Sequence, residues 1–262
     1  MWIDAHTHLD LYGDDLESAL EEIRQNRILC ISNSLDLDSY QRNLEIAQRC
    51  EWVFPIFGVH PWMAAENAGR LEELKITIAQ SPMLGEIGLD YFFVRDSLQY
   101  PAQRTVFEYF LQAAQEQDKV VHLHTKGAEQ EVLELLDRYS IRRAVVHWYS
   151  GPLDLLSDFA RRGAYFTVGP QVLYSEHIQA IAQLVPAEQL LAETDNPGGP
   201  KSYLGRPGMP SLIQEAVRGL ALARGATPEA ILEATRANLM RLAQGDPWLL
   251  TLHVRVGSDS EG

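Results

Sequence analysis

Residues 120–148 read VVHLHTKGAEQEVLELLDRYSIRRAVVHW, and the order of patterns along this stretch decides the fold class. Val120 to His124 is an apolar run of strand length. Gln130 to Tyr139 then repeats its apolar positions at helical spacing with one charged face, and Ala144 to Trp148 is a second apolar run. Strand, helix and strand in this order make a βαβ unit, whose two strands are parallel. The same alternation runs outward in both directions. Further strands are predicted over Trp2 to His6, Ile28 to Ser32, Val53 to Val59, Met83 to Gly88, Ala164 to Val168 and Leu190 to Thr194. Helical periods fill the intervals at Leu16 to Gln25, Ser39 to Arg49, Leu71 to Gln80, Tyr100 to Gln117, Leu153 to Arg162 and Ser175 to Leu184. Eight strands, each followed by a helix, in a chain of 262 residues predict an α/β fold of the (β/α)8 TIM barrel type, with an open doubly wound sheet as the alternative.

After the eighth strand, Asn196 to Pro210 holds four prolines and four glycines and is expected to lack regular structure. Ser211 offers an N-cap for a helix to Ala223, and Thr227-Pro228 a cap and first-turn proline for a helix to about Ala243. The expected organisation is a barrel domain over residues 1–244 and a short appendage over 245–262. In that appendage Leu250 to Val256 alternates like an edge strand or a packing tail, and 257–262 reads as a frayed end.

Composition narrows the function. With 22 Lys and Arg against 36 Asp and Glu, the formal charge is −14, so the chain lacks the basic face by which a general nucleic-acid-coating protein neutralises phosphates. No apolar run approaches membrane-spanning length, and Met1-Trp2-Ile3-Asp4 has neither a basic nor a hydrophobic leader region. A cytoplasmic chain with no membrane attachment is expected. The two cysteines, Cys30 and Cys50, read as buried thiols.

Metal-type side chains gather at the strand ends. The first strand ends in His6-Thr7-His8 and the third in Gly58-Val59-His60-Pro61. Glu86 lies in the fourth, His122 and His124 in the fifth, His147 at the end of the sixth, and Glu193-Thr194-Asp195 at the end of the eighth. Only His177 and His253 of the eight histidines lie elsewhere. In a parallel barrel all C-terminal strand ends open on one face, so these residues converge, and imidazoles with carboxylates suit divalent ions. A single His-x-His is common and weak. A carboxylate such as Glu86 facing a barrel interior is costly unless a cation compensates it. His122 is expected to orient a neighbour, and His177 and His253 to be ordinary packing or surface residues.

The chain resembles the TatD family of metal-dependent hydrolases, within the amidohydrolase-like barrels, over roughly residues 1 to 244. The resemblance rests on Asp4-Ala5-His6-Thr7-His8-Leu9-Asp10, Gly58-Val59-His60-Pro61, Gly85-Glu86-Ile87-Gly88-Leu89-Asp90-Tyr91, His124, His147-Trp148-Tyr149-Ser150-Gly151, Glu193-Thr194-Asp195-Asn196-Pro197 and Asn238-Leu239-Met240-Arg241-Leu242. It implies that His6, His8 and Asp195 hold one metal ion, that His124 and His147 hold a second, and that Glu86 bridges the two. His60 would contact the substrate phosphate. The chain departs from the family pattern at Lys126, where an Arg is frequent, at Asn196, and in the Gly198-Gly199-Pro200 loop. The His147 to Gly151 segment, with Phe166 to Pro170, is similar to TatD-like proteins of bacterial anti-phage cassettes, which implies partner proteins of such a cassette.

The expected activity is metal-dependent phosphodiester hydrolysis, as a deoxyribonuclease or 3′-5′ exonuclease on single-stranded DNA or RNA. Two divalent ions (Zn, Mn, Mg or Ni) would activate a water, with Asp195 and Glu86 as catalytic carboxylates. His60 and Lys126, with Lys201 or Arg206 from the loop, would hold phosphate oxygens, and Trp62, Trp148 and Tyr149 would stack on bases or pack the barrel rim. The alternatives are ester, lactone or amide hydrolysis in the same superfamily, for example on aminoacyl-tRNA or a small molecule, and a non-catalytic member of a multi-protein assembly. The absence of a lysine in the fourth strand, where many amide hydrolases carry a carbamylated one, favours phosphate.

Overall fold

The computed structural model describes residues 1–258. All eight expected strands form, as β1 (Trp2–Thr7), β2 (Ile28–Asn33), β3 (Val53–Ile56), β4 (Leu84–Gly88), β5 (Val121–His124), β6 (Ala144–Val146), β7 (Tyr165–Val168) and β8 (Leu190–Ala192). They pair in parallel and in sequence order, β1-β2-β3 and β4-β5-β6-β7-β8. Backbone hydrogen bonds link the two sets at both edges. Gly85 N–H donates to Phe57 O at 2.8 Å, and past the end of β8 the Asp195 N–H donates to His6 O at 3.0 Å. The result is a (β/α)8 barrel whose β2 and β4 to β8 are buried along their whole length, which explains why apolar residues predominate in most of them.

The interior is layered. At its floor Ile3, Leu29, Phe54, Met83, Val120, Val145 and Leu191 form one apolar cluster with Leu239, Leu242, Leu249, Leu252 and Val256. Above the floor come buried polar groups, and above those the strand ends. Entering and along β5 the succession is Val120, His122, His124, and along and past β8 it is Leu191, Glu193, Asp195. Two strands break step. The β1–β2 register shifts between Asp4 and Thr7, and the β4–β5 register between Leu84 and Ile87. The shifts explain how Ala5 and His6, neighbours in sequence, both serve the interior, and how Glu86 does so three residues after Met83.

Several expectations are corrected. The sixth and eighth strands stop at Val146 and Ala192, because the backbone beyond turns to other partners. Thr194 N–H, for instance, bonds Asp4 Oδ1 at 2.9 Å instead of continuing the ladder. Ser211 caps nothing: Pro210–Leu212 is a 3-10 turn leading into the helix Ile213–Arg224. Thr227 does cap its helix, Pro228–Ala243, accepting from Ala230 N–H at 3.2 Å. Within the breaker-rich loop Lys201–Leu204 forms one helical turn.

The segment expected as a strand or tail is the helix Leu250–Ser258. Leu250, Leu252, Val254 and Val256 alternate as in a strand, but Leu249, Leu252 and Val256 also match helical spacing. These three are buried under the barrel while Leu250 and Val254 face outward. From residue 259 on, the expected frayed end lies outside the described residues. No helix among the described residues is long and apolar enough to cross a membrane.

Because Leu252 is wholly buried in the floor cluster, Leu252→Ala should cost about 2–5 kcal/mol of stability. Urea unfolding checks this, and a loss below about 0.5 kcal/mol, the ordinary range for surface changes, would show that the helix is only laid on the surface.

Candidate metal centre

The side chains expected at the strand ends meet around one buried carboxylate. Glu86 Oε2 lies 3.4 Å from His6 Nε2 and 3.2 Å from His8 Nε2. Glu86 Oε1 faces the other way, 2.6 Å from His124 Nδ1, 3.3 Å from His147 Nε2 and 3.5 Å from His60 Nε2. Asp195 Oδ1 adds to the first side, 3.6 Å from His6 Nε2 and 3.4 Å from His8 Nε2. Three sets of ligand-type atoms lie close enough to share an ion: His6, His8 and Asp195; His6, Glu86 and His147; and His60, Glu86 and His124. His147 thus groups with His6, on whose ring it stacks at 3.7 Å, as well as facing the Glu86 oxygen that His124 approaches.

The close fit of β4 depends on glycine. At Gly88 the backbone has φ +148, and a Cβ there would collide with the His124 carbonyl.

The far nitrogen of each imidazole shows which atom is free to bind a cation. His8 Nδ1 donates to Asn33 O at 3.2 Å, His124 Nε2 to Asp90 Oδ2 at 3.1 Å and His147 Nδ1 to Glu193 Oε2 at 3.0 Å. Each tie leaves the second nitrogen's lone pair directed into the cage, as metal-binding histidines require. His6 Nδ1 meets His122 Nε2 at 3.3 Å, so His122 supports a neighbour as expected. His60 is wired in reverse. Its Nδ1 accepts from Trp62 N–H at 3.2 Å, so the neutral ring carries its proton on Nε2 and presents a donor to the cage.

Charge regulation points the same way. Burial disfavours a charged imidazole at all these positions, and at His6 it prevails, pushing the pKa down to about 3. His147 and His122 are held well below the usual range by the same cause. At His8 the carboxylates of Asp195 and Glu86 outweigh burial and hold the pKa well up, and at His124 those of Asp90 and Glu86 outweigh it and raise the pKa. Burial opposes ionisation of Glu86, yet the imidazole cage around it, with the hydrogen bond from His124, holds its pKa well below the usual range. The cage therefore attracts positive charge at two places, one beside each oxygen of Glu86. A donor set of imidazole nitrogens and carboxylate oxygens with that demand fits divalent cations, which would displace the protons from His8 and His124.

Other expected residues fall less centrally. Lys126 Nζ donates to Trp148 O and, at 2.9 Å, to Ser150 Oγ, so it ties down the loop after β6 and keeps one N–H in reserve. Lys201 and Arg206 are exposed on the loop after β8. Tyr149 is buried against Phe159 and Phe166, which removes it from the base-stacking candidates, whereas Trp62 is half exposed. His177 Nε2 donates to the carbonyls of Ser150 and Gly151 and is structural.

Asp90 and Glu193 had no assigned role in the sequence. Both sit inside quoted motifs, and their acidic type beside ligand strands was the available signal. Asp4 carries no mark of a role in the sequence either: it accepts from Thr194 N–H and Oγ1, and burial raises its pKa to about 7. Asn238 Nδ2, in the last quoted motif, donates to Ala187 O and Leu190 O and so fixes the entry to β8.

Comparison with known proteins gives concordant likenesses. A family model described as TatD related DNase matches residues 3–244. The metal-dependent hydrolase YjjV of Escherichia coli K12 is 30% identical over 233 residues, covering 84% of this chain and 88% of that one. Deoxyribonuclease TATDN3 of Homo sapiens is 23% identical over 258 residues, covering 92% and 93%. The crystal structure of YjjV superposes with a TM-score of 0.83 at 27% identity over 92% of this chain and 97% of that chain.

An ion bound only by the folded chain stabilises it by about 2.7 kcal/mol at a hundred times its dissociation constant. Manganese or zinc added to metal-stripped protein should therefore raise the melting temperature, and Glu86→Gln should remove most of the rise. An undiminished rise in that variant would place the ions elsewhere.

Proposed function

The chain belongs to the TatD family of metal-dependent hydrolases, and from that membership we propose that it is a phosphodiesterase. It would trim single-stranded DNA or RNA from the 3′ end with two divalent ions held by His6, His8, Glu86, His124, His147 and Asp195. The observation that carries this reading is the division of Glu86, one oxygen facing His6 and His8 and the other facing His124 and His147. Bound there, zinc, manganese, magnesium or nickel would supply Lewis-acid stabilisation of phosphoryl oxygens and a water of lowered pKa.

The side chains supply the rest. Asp195 is the most accessible cage carboxylate, with its side chain 19% exposed against 2% for Glu86, so its second oxygen can take the proton of an attacking water. His60, with its proton on Nε2, offers a hydrogen bond to a non-bridging phosphate oxygen, which suits substrate contact better than metal ligation. Lys126 can add its remaining N–H while it holds the loop.

Charge limits the substrate. Two divalent ions bring about +4 against −2 from Glu86 and Asp195, which makes the pocket locally cationic. The rest of the chain, at −14 overall, offers little to a long duplex. Strand ends and short single strands fit that distribution. The β4 segment Leu-Gly-Glu-Ile-Gly holds Glu86 and no lysine, which counts against the carbamylated-lysine type of amide hydrolase.

Metal-loaded protein should shorten a 3′-extended, end-labelled single strand. Chelator should stop the reaction, and Asp195→Asn should slow it by about 10²- to 10⁴-fold, the usual range for loss of a general base. Metal-loaded protein that leaves DNA, RNA and small phosphodiesters intact would overturn the reading.

A further inference from the structure

Trp62, Phe92 and Phe93 stand beside the cage with 51%, 63% and 58% of their surfaces exposed, unusual for large aromatic side chains on a rigid rim. They are held in place by one buried carboxylate. Asp90 Oδ2 accepts from Trp62 Nε1 at 2.7 Å, and Asp90 Oδ1 accepts from the backbone N–H groups of Phe92 at 3.0 Å and Phe93 at 2.7 Å. The same Oδ2 fixes His124. Asp90 itself is fully buried and is gripped from behind by Gln103, which donates to its carbonyl and accepts from its N–H. The rings contact edge to face, Trp62 to Phe93 at 6.2 Å and Phe92 to Phe93 at 4.9 Å, and Trp62 lies 4.5 Å from His60.

We propose that this Asp90-braced ledge of Trp62 and Phe93 is a subsite for an unpaired nucleobase, that of the nucleotide adjoining the phosphate in the cage. The proposal rests on the phosphodiesterase reading of the cage and adds to it the part of the substrate that is recognised.

Continuity with the cage fixes the occupant. The imidazole that points a donor at the phosphate, His60, is oriented by the Trp62 backbone, and the imidazole on the second ion, His124, by the carboxylate that holds the Trp62 ring. A base on the ledge and a phosphate in the cage are therefore positioned by one connected set of bonds. Charge argues the same way. A chain at −14 cannot draw affinity from many phosphate contacts, whereas base–aromatic stacking needs no charge and tolerates any sequence. Stacking on the ledge also requires a base free of its partner strand, so it selects against duplex. The comparable group on the His147 side is less available, because Trp148 is partly buried, is edge-on to Tyr203 at 6.1 Å and is tied through Nε1 to Gln171 at 2.7 Å.

The test compares an ordinary short single strand with strands carrying one abasic tetrahydrofuran residue near the 3′ end. Wild-type protein should show a KM about 5- to 150-fold higher when the abasic residue falls at the ledge, the equivalent of one lost stack. Phe93→Ala, which keeps the backbone bonds to Asp90, should raise KM on the ordinary strand several-fold with kcat near wild type, and should no longer distinguish the abasic strand. Trp62→Phe should keep most of the discrimination, whereas Trp62→Ala should lose it. Wild-type discrimination retained in both Phe93→Ala and Trp62→Ala would overturn the proposal. If wild-type protein cleaves neither strand, the phosphodiesterase reading falls. Fluorescence anisotropy of labelled strands with metal-loaded Asp195→Asn protein then decides the ledge by itself, since equal affinity for intact and abasic strands would remove it.

Discussion

A carboxylate buried in the middle of a barrel governs this molecule. Glu86 sits among five imidazoles with almost no access to water, and an ion so placed costs several kcal/mol unless positive charge meets it. Every feature around it answers that demand. His8 and His124 are held protonatable by the carboxylates they face, the remaining imidazoles stay neutral, and each ring is tied from behind so that its useful nitrogen looks inward. The family is one of metal-dependent hydrolases, and a cation is what such a cage is built to take. The geometry explains why six side chains from strands far apart in sequence have to arrive together.

The barrel makes that arrival possible by separating its jobs along the axis. Apolar residues at the floor give stability, the polar layer of His122, Glu193 and Asp4 braces the strand ends, and the cage residues occupy the rim. Register shifts in β1 and β4 carry the two strands that hold His6 and Glu86 out of simple alternation. Both irregularities lie beside functional groups, where local departures from ideal sheet geometry are characteristically concentrated.

Most of the architecture was legible because parallel buried strands leave largely apolar runs, as at Ile28 to Ser32 and Ala144 to Trp148. The convergence of His6, His8, Glu86, His124, His147 and Asp195 was legible too, since a barrel places all strand ends on one face. What escaped had physical reasons. Alternation of Leu250 to Val256 fits two periods, and only packing under the barrel chooses the helix. The burial of Tyr149 depends on Phe159 and Phe166, distant in sequence. Asp90 and Glu193 act through other side chains, and the far nitrogen of a histidine leaves no trace in composition. The reversed wiring of His60 rests on a single backbone N–H, that of Trp62, which no side-chain pattern encodes.

The helix Leu250–Ser258 gives the floor a consequence in time. Leu252 and Val256 share one packing layer with Ile3 on β1, so a strand made early waits for a helix made much later before that layer is complete. Such contacts, spanning most of the chain, are the slow ones in folding. A nascent barrel would carry its ligands and its walls while its base still lay open to water, and its maturation would be governed by the arrival of a short helix that touches none of the chemistry.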